Sequence, residues 1–522
     1  MTGYSAITDG QSLGGVGNMQ PRRGRSPRVG GGNASMMSSN INLLNTIIGA
    51  GTLAMPSAMS HFGVMLGVIL ILWCGLTSAF GLYLQSRCSR YIDRGSSSFF
   101  ALSQLTYPNA AVMFDAAIAI KCFGVGVSYM IIIGDLMPAV AESFGSAATG
   151  LAFLADRKFW ITVFFLFFII PLSFPKRLDS LKYTSVVALF SIGYLVILVV
   201  YHYANDEYPN KGDINVITWL GPIQALRSLP VVIFAYTCHQ NMFSILNEIQ
   251  DNSPGSIVGV ISASIGSAAS VYILVAITGY LTFGNNVVAN IVSMYPVSIS
   301  STIAKAAIVI LVTFSIPLQV HPCRASIDAV LRWRPNKAAR SPASALAPGS
   351  QPLLPSTTAS ATVDNHGVPV LAMSELRFAL ITSFILILSY ITALNVSSLD
   401  RVLAYVGSTG STAISFILPG LFYYKISDPE GIHHQRLTKE DDDADYSDSS
   451  DIEEAPAAMH DSTASIRSVV SAVSSVRWCR KWRWDLEHLE HGLLRKLALA
   501  LSVYGVCVMV VCLTMNTFFA SS

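Results

Sequence analysis

Asn42-Leu43-Leu44-Asn45-Thr46-Ile47-Ile48-Gly49-Ala50-Gly51-Thr52-Leu53, with Pro56 one turn later, is the stretch on which the fold turns. It sits inside an apolar run, yet carries amides, hydroxyls, two glycines and a proline. Glycine and proline weaken a helix locally and free backbone N–H and C=O groups. In hydrocarbon such groups are tolerated only where they line a cavity or are covered by protein. The same small residues also suit close packing of two helices. Taken alone, this stretch leaves both readings open.

The rest of the chain supplies the hydrocarbon. Of 522 residues, 52% are hydrophobic and 12% charged, and the mean hydropathy is +0.52, too apolar for a water-soluble chain of this size. Runs of the length a spanning helix needs, roughly 20 residues, occur near 36–59, 62–85, 111–141, 159–175, 183–202, 224–246, 256–280, 299–321, 376–395, 402–424 and 496–518. The expected fold is an all-α integral membrane protein of about eleven spans. The third run is long enough to tilt or to project beyond the bilayer, and the fourth is marginal. Residues 1–35 are rich in Gly, Ser and Arg with no apolar core, so a cleavable signal peptide is not expected and the first span acts as the insertion signal. The eight cysteines fall in spans or in segments assigned to the cytosol, which gives no support for a disulfide framework.

Basic residues orient the chain. With a cytosolic N-terminus, the cytosolic segments hold Arg22, Arg23, Arg25, Arg28, Arg87, Arg90, Arg94, Lys176, Arg177 and Lys182, and most of the rest lie in the loop after the eighth span and in 425–495. Only Arg157, Lys158, Lys211 and Arg401 fall on the far side. The positive-inside rule therefore places the C-terminus on the far, lumenal side. The expected organisation is a disordered cytosolic tail (1–35), a ten-helix core (36–424) with a disordered cytosolic loop at 335–372, a cytosolic acidic and interfacial loop (425–495), and an eleventh helix with a short lumenal tail (496–522). The acidic block 439–456 reads as a solvated loop, or as a site of phosphorylation or sorting. Alternating basic and Trp residues from Arg477 to Trp484 suit the headgroup region beside the last span; no nucleic-acid module accompanies them.

The sixth run repeats the feature of the first. Pro230 precedes the polar cluster Tyr236-Thr237-Cys238-His239-Gln240-Asn241, after which the apolar pattern resumes. Spans one and six correspond if ten helices form two inverted halves of five, and interrupted segments at matched positions point to a midplane substrate site in a secondary transporter. An amino-acid zwitterion fits it. Its carboxylate can accept N–H bonds from the half-helix starting near Gly51, and its ammonium can donate to unwound carbonyls around Phe234 to Thr237. The substrate-binding candidates are Thr46, Gly49, Ala50, Gly51, Thr52, Phe234, Ala235, Tyr236 and Thr237.

Together with Gly134-Asp135-Leu136-Met137-Pro138 and Phe234-Ala235-Tyr236-Thr237-Cys238-His239, the first-span motif resembles the amino acid/auxin permease family, in particular its fungal vacuolar amino acid transporters, with the sodium-coupled neutral amino acid transporters as animal relatives. The resemblance covers all the expected spans but not the long cytosolic loops. It implies a LeuT-type 5+5 inverted repeat plus one helix, alternating access, and export of neutral or basic amino acids from an acidic vacuole or lysosome. The far-side loops contain no Cys, a departure from plasma-membrane relatives, which commonly carry an extracellular disulfide; this favours an organelle.

Candidates for ion coupling are few. Lys121 lies about six residues inside the third span, a depth from which it either snorkels to the cytosolic face or titrates. Asp135 lies about 21 Å further along the same helix, out of reach of Lys121. His239 carries an imidazole that titrates in the range of a vacuolar pH, unless it is a structural hydrogen-bonding residue. Asn45, Thr313 and Ser315 offer oxygens suited to sodium, and in related transporters a first-span Asn and an eighth-span Thr contribute to a sodium site. No catalytic or metal constellation is present, so neither an enzyme nor a cofactor is expected. A proton-coupled transporter leads; a sodium symporter and a non-transporting amino-acid sensor using the same pocket are the alternatives. The expected partners are the substrate and the bilayer.

Overall fold

The computed structural model describes residue 32 and residues 34–92, 95–145, 152–175, 184–205, 208, 211–332, 373–431, 435 and 465–519. The 335–372 loop, the acidic block and nearly all of the N-terminal tail lie outside the described residues. Within them the chain is helical, with one isolated bridge between Ala34 and Ile249.

The first apolar run is two helices, α1 (Met36–Ile47) and α2 (Ala50–Phe62). Gly63, at φ +74°, turns the chain into α3 (Val64–Ser89), a backbone conformation that only glycine adopts readily. Then come the short α4 (Phe99–Thr106) and the long α5 (Ala111–Ser143). The marginal fourth run is α6 (Arg157–Phe164), a π segment (Phe165–Ile169) and α7 (Ile170–Ser173). α8 (Thr184–Ala204) precedes the interrupted sixth run, α9 (Pro222–Ala235) and α10 (His239–Glu248). There follow α11 (Pro254–Phe283), the single turn α12 (Ile291–Met294), α13 (Ile299–Arg332) and α14 (Glu375–Asn395). The tenth run is α15 (Leu399–Val406), two π segments (Gly407–Ser411 and Ala413–Ile417) and α16 (Leu418–Ile426). The last helix, α17 (Ser465–Phe518), begins inside the segment expected to be an interfacial loop, and its candidate span is Gly492–Phe518.

Among the described residues, nine segments are long and apolar enough to cross a membrane. Neither the α1–α2 pair nor the α6–α7 stretch is among them. Burial sorts the nine. In the α9–α10 segment 78% of the most apolar window is buried, and in α15–α16 72%, against 33% in α14 and in α17. On α14 the exposed Leu376, Leu380, Phe384, Ile387 and Ile391 follow helical spacing and form an outward apolar face, which only lipid can cover without penalty. α2 is at the opposite extreme: every one of its residues except His61 is buried.

The interrupted helices therefore form the centre. α2 packs on α9 and α11, α1 on α11, and α15 on α9 and α5, while α13 lies along α5. Both ends of the first run are tied to the sixth. At one end Ala34 N–H donates to the Glu248 carbonyl and Gln250 N–H to the Ala34 carbonyl, each at 2.9 Å. At the other, Leu220 N–H, on the approach to α9, donates to the His61 carbonyl at 3.2 Å, and the Ser228 hydroxyl lies 2.9 Å from His61 Nδ1.

Candidate functional site

The first break is two residues wide. α1 ends at Ile47, Ile48 is extended (φ −78°, ψ 104°), and Gly49 (φ −154°, ψ −138°) caps α2. The half-helix thus starts at Ala50, one residue before Gly51. Thr52 N–H turns back onto the Gly49 carbonyl at 3.0 Å, leaving Ala50 and Gly51 with N–H groups that have no acceptor within their helix. Their partial positive charge suits a carboxylate. The Tyr129 hydroxyl of α5 reaches the same place: a Cβ added to Gly49 would lie 3.5 Å from it. Gly51 abuts the second break, since a Cβ there would lie 2.5 Å from the Ala235 Cβ and 2.8 Å from its Cα. Close packing and an open backbone, alternatives in the sequence, coexist at this glycine.

The second break is narrower than the expected Phe234 to Thr237. Phe234 and Ala235 are still helical, and the interruption runs from Tyr236 (φ −86°, ψ 1°) to Cys238 (φ −125°, ψ 3°). Thr237 N–H donates to the Phe234 carbonyl at 3.0 Å and its hydroxyl to the Ile233 carbonyl at 2.9 Å. α3 supplies further donors: Ser78 to the Tyr236 carbonyl at 3.1 Å and Gln85 to the His239 carbonyl at 3.3 Å. The breaks are also linked directly, since the Asn241 amide donates to the Thr46 hydroxyl at 2.9 Å.

A tyrosine of α11 joins them. Tyr272 is fully buried, with its hydroxyl 2.7 Å from the Ile47 carbonyl and 2.8 Å from the Ala235 carbonyl. Its ring meets Tyr236 edge-on, with centroids 5.1 Å apart. These are the last carbonyls of α1 and α9, which the breaks leave without helical donors.

Lys121 does not snorkel. It is 4% exposed, and its Cβ packs 2.8 Å from where Gly410 of the tenth run would carry one, a position only glycine leaves free. Its charge falls within electrostatic reach of Cys238 and His239. His239 is fully buried; its Nε2 lies 3.2 Å from the Ser78 carbonyl, so that nitrogen carries the proton, and its Nδ1 has no hydrogen-bond partner among the described residues. Of the coupling candidates, His239 thus stands at the second break, while Lys121 is buried against Gly410 of the tenth run. Asp135 is held elsewhere, by Arg157 at 3.0 Å. Thr313 and Ser315 donate to carbonyls of their own helix, Val309 at 2.6 Å and Leu311 at 2.8 Å, and α13 packs chiefly on α5, α8 and α14 rather than on either half of the first run. Among the described residues no cluster of His, Cys, Asp and Glu could hold a metal ion.

Tyr272, Tyr129, Ser78 and Gln85 went unremarked in the sequence because they sit singly within apolar runs. One signal was available: a tyrosine hydroxyl deep in hydrocarbon has to find an acceptor.

Discontinuous helices meeting at the core of a lipid-facing bundle define a membrane carrier rather than an enzyme. Residues 32–441 match the family described as transmembrane amino acid transporter protein, and the chain belongs to that family. It is 45% identical over 410 residues to vacuolar amino acid transporter 6 of Saccharomyces cerevisiae, covering 75% of this chain and 90% of the relative. Identity to the mouse sodium-coupled neutral amino acid transporter 7 is 28% over 316 residues, 58% of this chain and 66% of that protein. In fold it is similar to the crystal structure of MhsT in complex with L-phenylalanine, with a TM-score of 0.51 at 11% identity over 91% of this chain and 98% of that one. The protein is a multi-pass amino acid transporter.

Proposed function

We propose that this chain exports neutral or basic amino acids from an acidic vacuole or lysosome to the cytosol by alternating access, driven by protons. Its core is read as two inverted halves of five helices, with α1–α2 and α9–α10 at matched positions and α17 as the eleventh helix. The N-terminus is cytosolic and the C-terminus lumenal. One observation carries the reading: the two interrupted helices touch at Gly51 and Ala235, which brings N–H groups at the start of one half-helix close to carbonyls at the end of the other, the pair of groups a zwitterion needs. The carboxylate is bound at Ala50 and Gly51, beside Thr46, Gly49 and Thr52. The ammonium is bound at the carbonyls flanking the second break, beside Phe234, Ala235, Tyr236 and Thr237.

Proton coupling is supported by the placement of His239 at the end of that break. A buried imidazole with a free nitrogen can take up a proton only if its surroundings rearrange. Its other nitrogen is already held by the Ser78 carbonyl. A proton arriving there from the lumen therefore biases the bundle toward another conformation. The vacuolar relatives agree with an acidic compartment. The test is transport in sealed vesicles with pH and sodium gradients imposed separately. Efflux should follow a lumen-acid gradient with sodium absent; transport that follows sodium and ignores pH overturns the proton reading and moves the coupling role to Asn45, Thr313 and Ser315.

A further inference from the structure

Two carbonyls, those of Ile47 and Ala235, end the two helices at the proposed substrate site, and a single hydroxyl lies on both. A tyrosine hydroxyl has one proton to donate, so it cannot satisfy two acceptors at once. An ammonium has three. The acceptors are thus under-served in a way that a primary amine would correct. The Tyr272 ring enters from α11, outside both broken helices, and meets Tyr236 edge-on, so its hydroxyl is not part of either half-helix.

We propose that the Tyr272 hydroxyl stands in for the substrate ammonium: it caps the Ile47 and Ala235 carbonyls in the empty carrier and is displaced when an amino acid binds. The carrier has to return empty to complete net transport, and buried, undonated carbonyls would make that return costly. Tyr272 removes the penalty by competing with substrate. It is a positioning residue that trades affinity for turnover.

The inference rests on the substrate site proposed above, and its test keeps the two apart. Tyr272→Phe keeps the ring and deletes the donor. The probe is the best substrate of the wild-type protein in a panel of the twenty proteinogenic L-amino acids. Purified full-length variant should bind it about ten-fold more tightly, the scale of one buried acceptor left unpaired in the empty state. Exchange with amino acid on both sides should be retained in proteoliposomes, while net efflux into substrate-free buffer falls several-fold. Unchanged or weaker binding, or an equal fall in exchange and net efflux, overturns the proposal. A purely structural staple would weaken exchange and efflux together.

If Tyr272→Phe does not reach the membrane, 3-fluorotyrosine at position 272 keeps the shape and strengthens the donor. Binding should then weaken, and unchanged binding overturns the proposal. Gly51→Val separates the two readings. Intact binding in that variant removes the site itself, whereas lost binding with no tightening in Tyr272→Phe removes only the role of Tyr272.

Discussion

The two breaks at the centre of this carrier are made in different ways. In the first, space is the device: Gly49 opens the backbone, and Gly51 lets Ala235 approach to a distance that no other residue would allow. In the second the broken segment, Tyr236 to Cys238, holds no glycine of its own, and hydrogen bonds are the device: Thr237, Ser78 and Gln85 hold the chain where it leaves the helix. A break held by space fails when volume is added, almost all at once, because a packed interior has nowhere to put it. A break held by several bonds fails by degrees, since each buried bond contributes on the order of 1 kcal/mol.

The largest expected effect follows from that difference. Gly51→Val should abolish uptake while the protein still reaches its membrane, because the added side chain meets Ala235 backbone as well as its methyl. Labelled uptake alongside fluorescence localisation checks it, and wild-type uptake would end the case for a binding site at the first break.

Next is His239→Gln, which keeps a donor for the Ser78 carbonyl and removes the titrating ring. Transport driven by a lumen-acid gradient should fall steeply and lose its dependence on that gradient, while exchange at equal pH on both sides continues. A pH profile identical to wild type would assign the histidine a structural role.

Graded loss is expected at the second break. Ser78→Ala and Gln85→Leu should each lower the maximal uptake rate about five-fold, the equivalent of one net hydrogen bond, and the double variant should be close to the product of the two. Complete loss in either single variant would mean that the second break is as brittle as the first.

The smallest change is expected of Asn45→Ala, since under proton coupling this residue only steadies α1 near its end. Uptake should stay within about two-fold of wild type and should not respond to sodium. A new or raised sodium requirement would instead place a cation beside α1.

Much of this could be read along the chain. Nine of the expected spans appear as single membrane-length segments, most of them within a few residues of their expected bounds, though the eighth runs eleven residues further, to Arg332, because the period and length of an apolar run are local properties. The breaks were legible too, since Gly49, Gly51 and the polar cluster after Pro230 stand out against hydrocarbon. Their edges were not: Phe234 and Ala235 remain helical because the Thr237 side chain and N–H return to Ile233 and Phe234, bonds that composition does not announce.

The fate of Lys121 marks the boundary more sharply. Along its own helix it lies close enough to one end to snorkel, yet it is buried, its Cβ packed where Gly410 of the tenth run leaves room for it. Amino-acid order by itself determined that this is a membrane protein, where its helices run and which two are interrupted, because the bilayer selects on hydropathy and on unsatisfied backbone. Tertiary structure alone decided that the interruptions touch, that a tyrosine from α11 caps both, and that a lysine in the third span is buried against a glycine of the tenth. Such convergence depends on distances between residues far apart in the chain, and no local pattern encodes a distance.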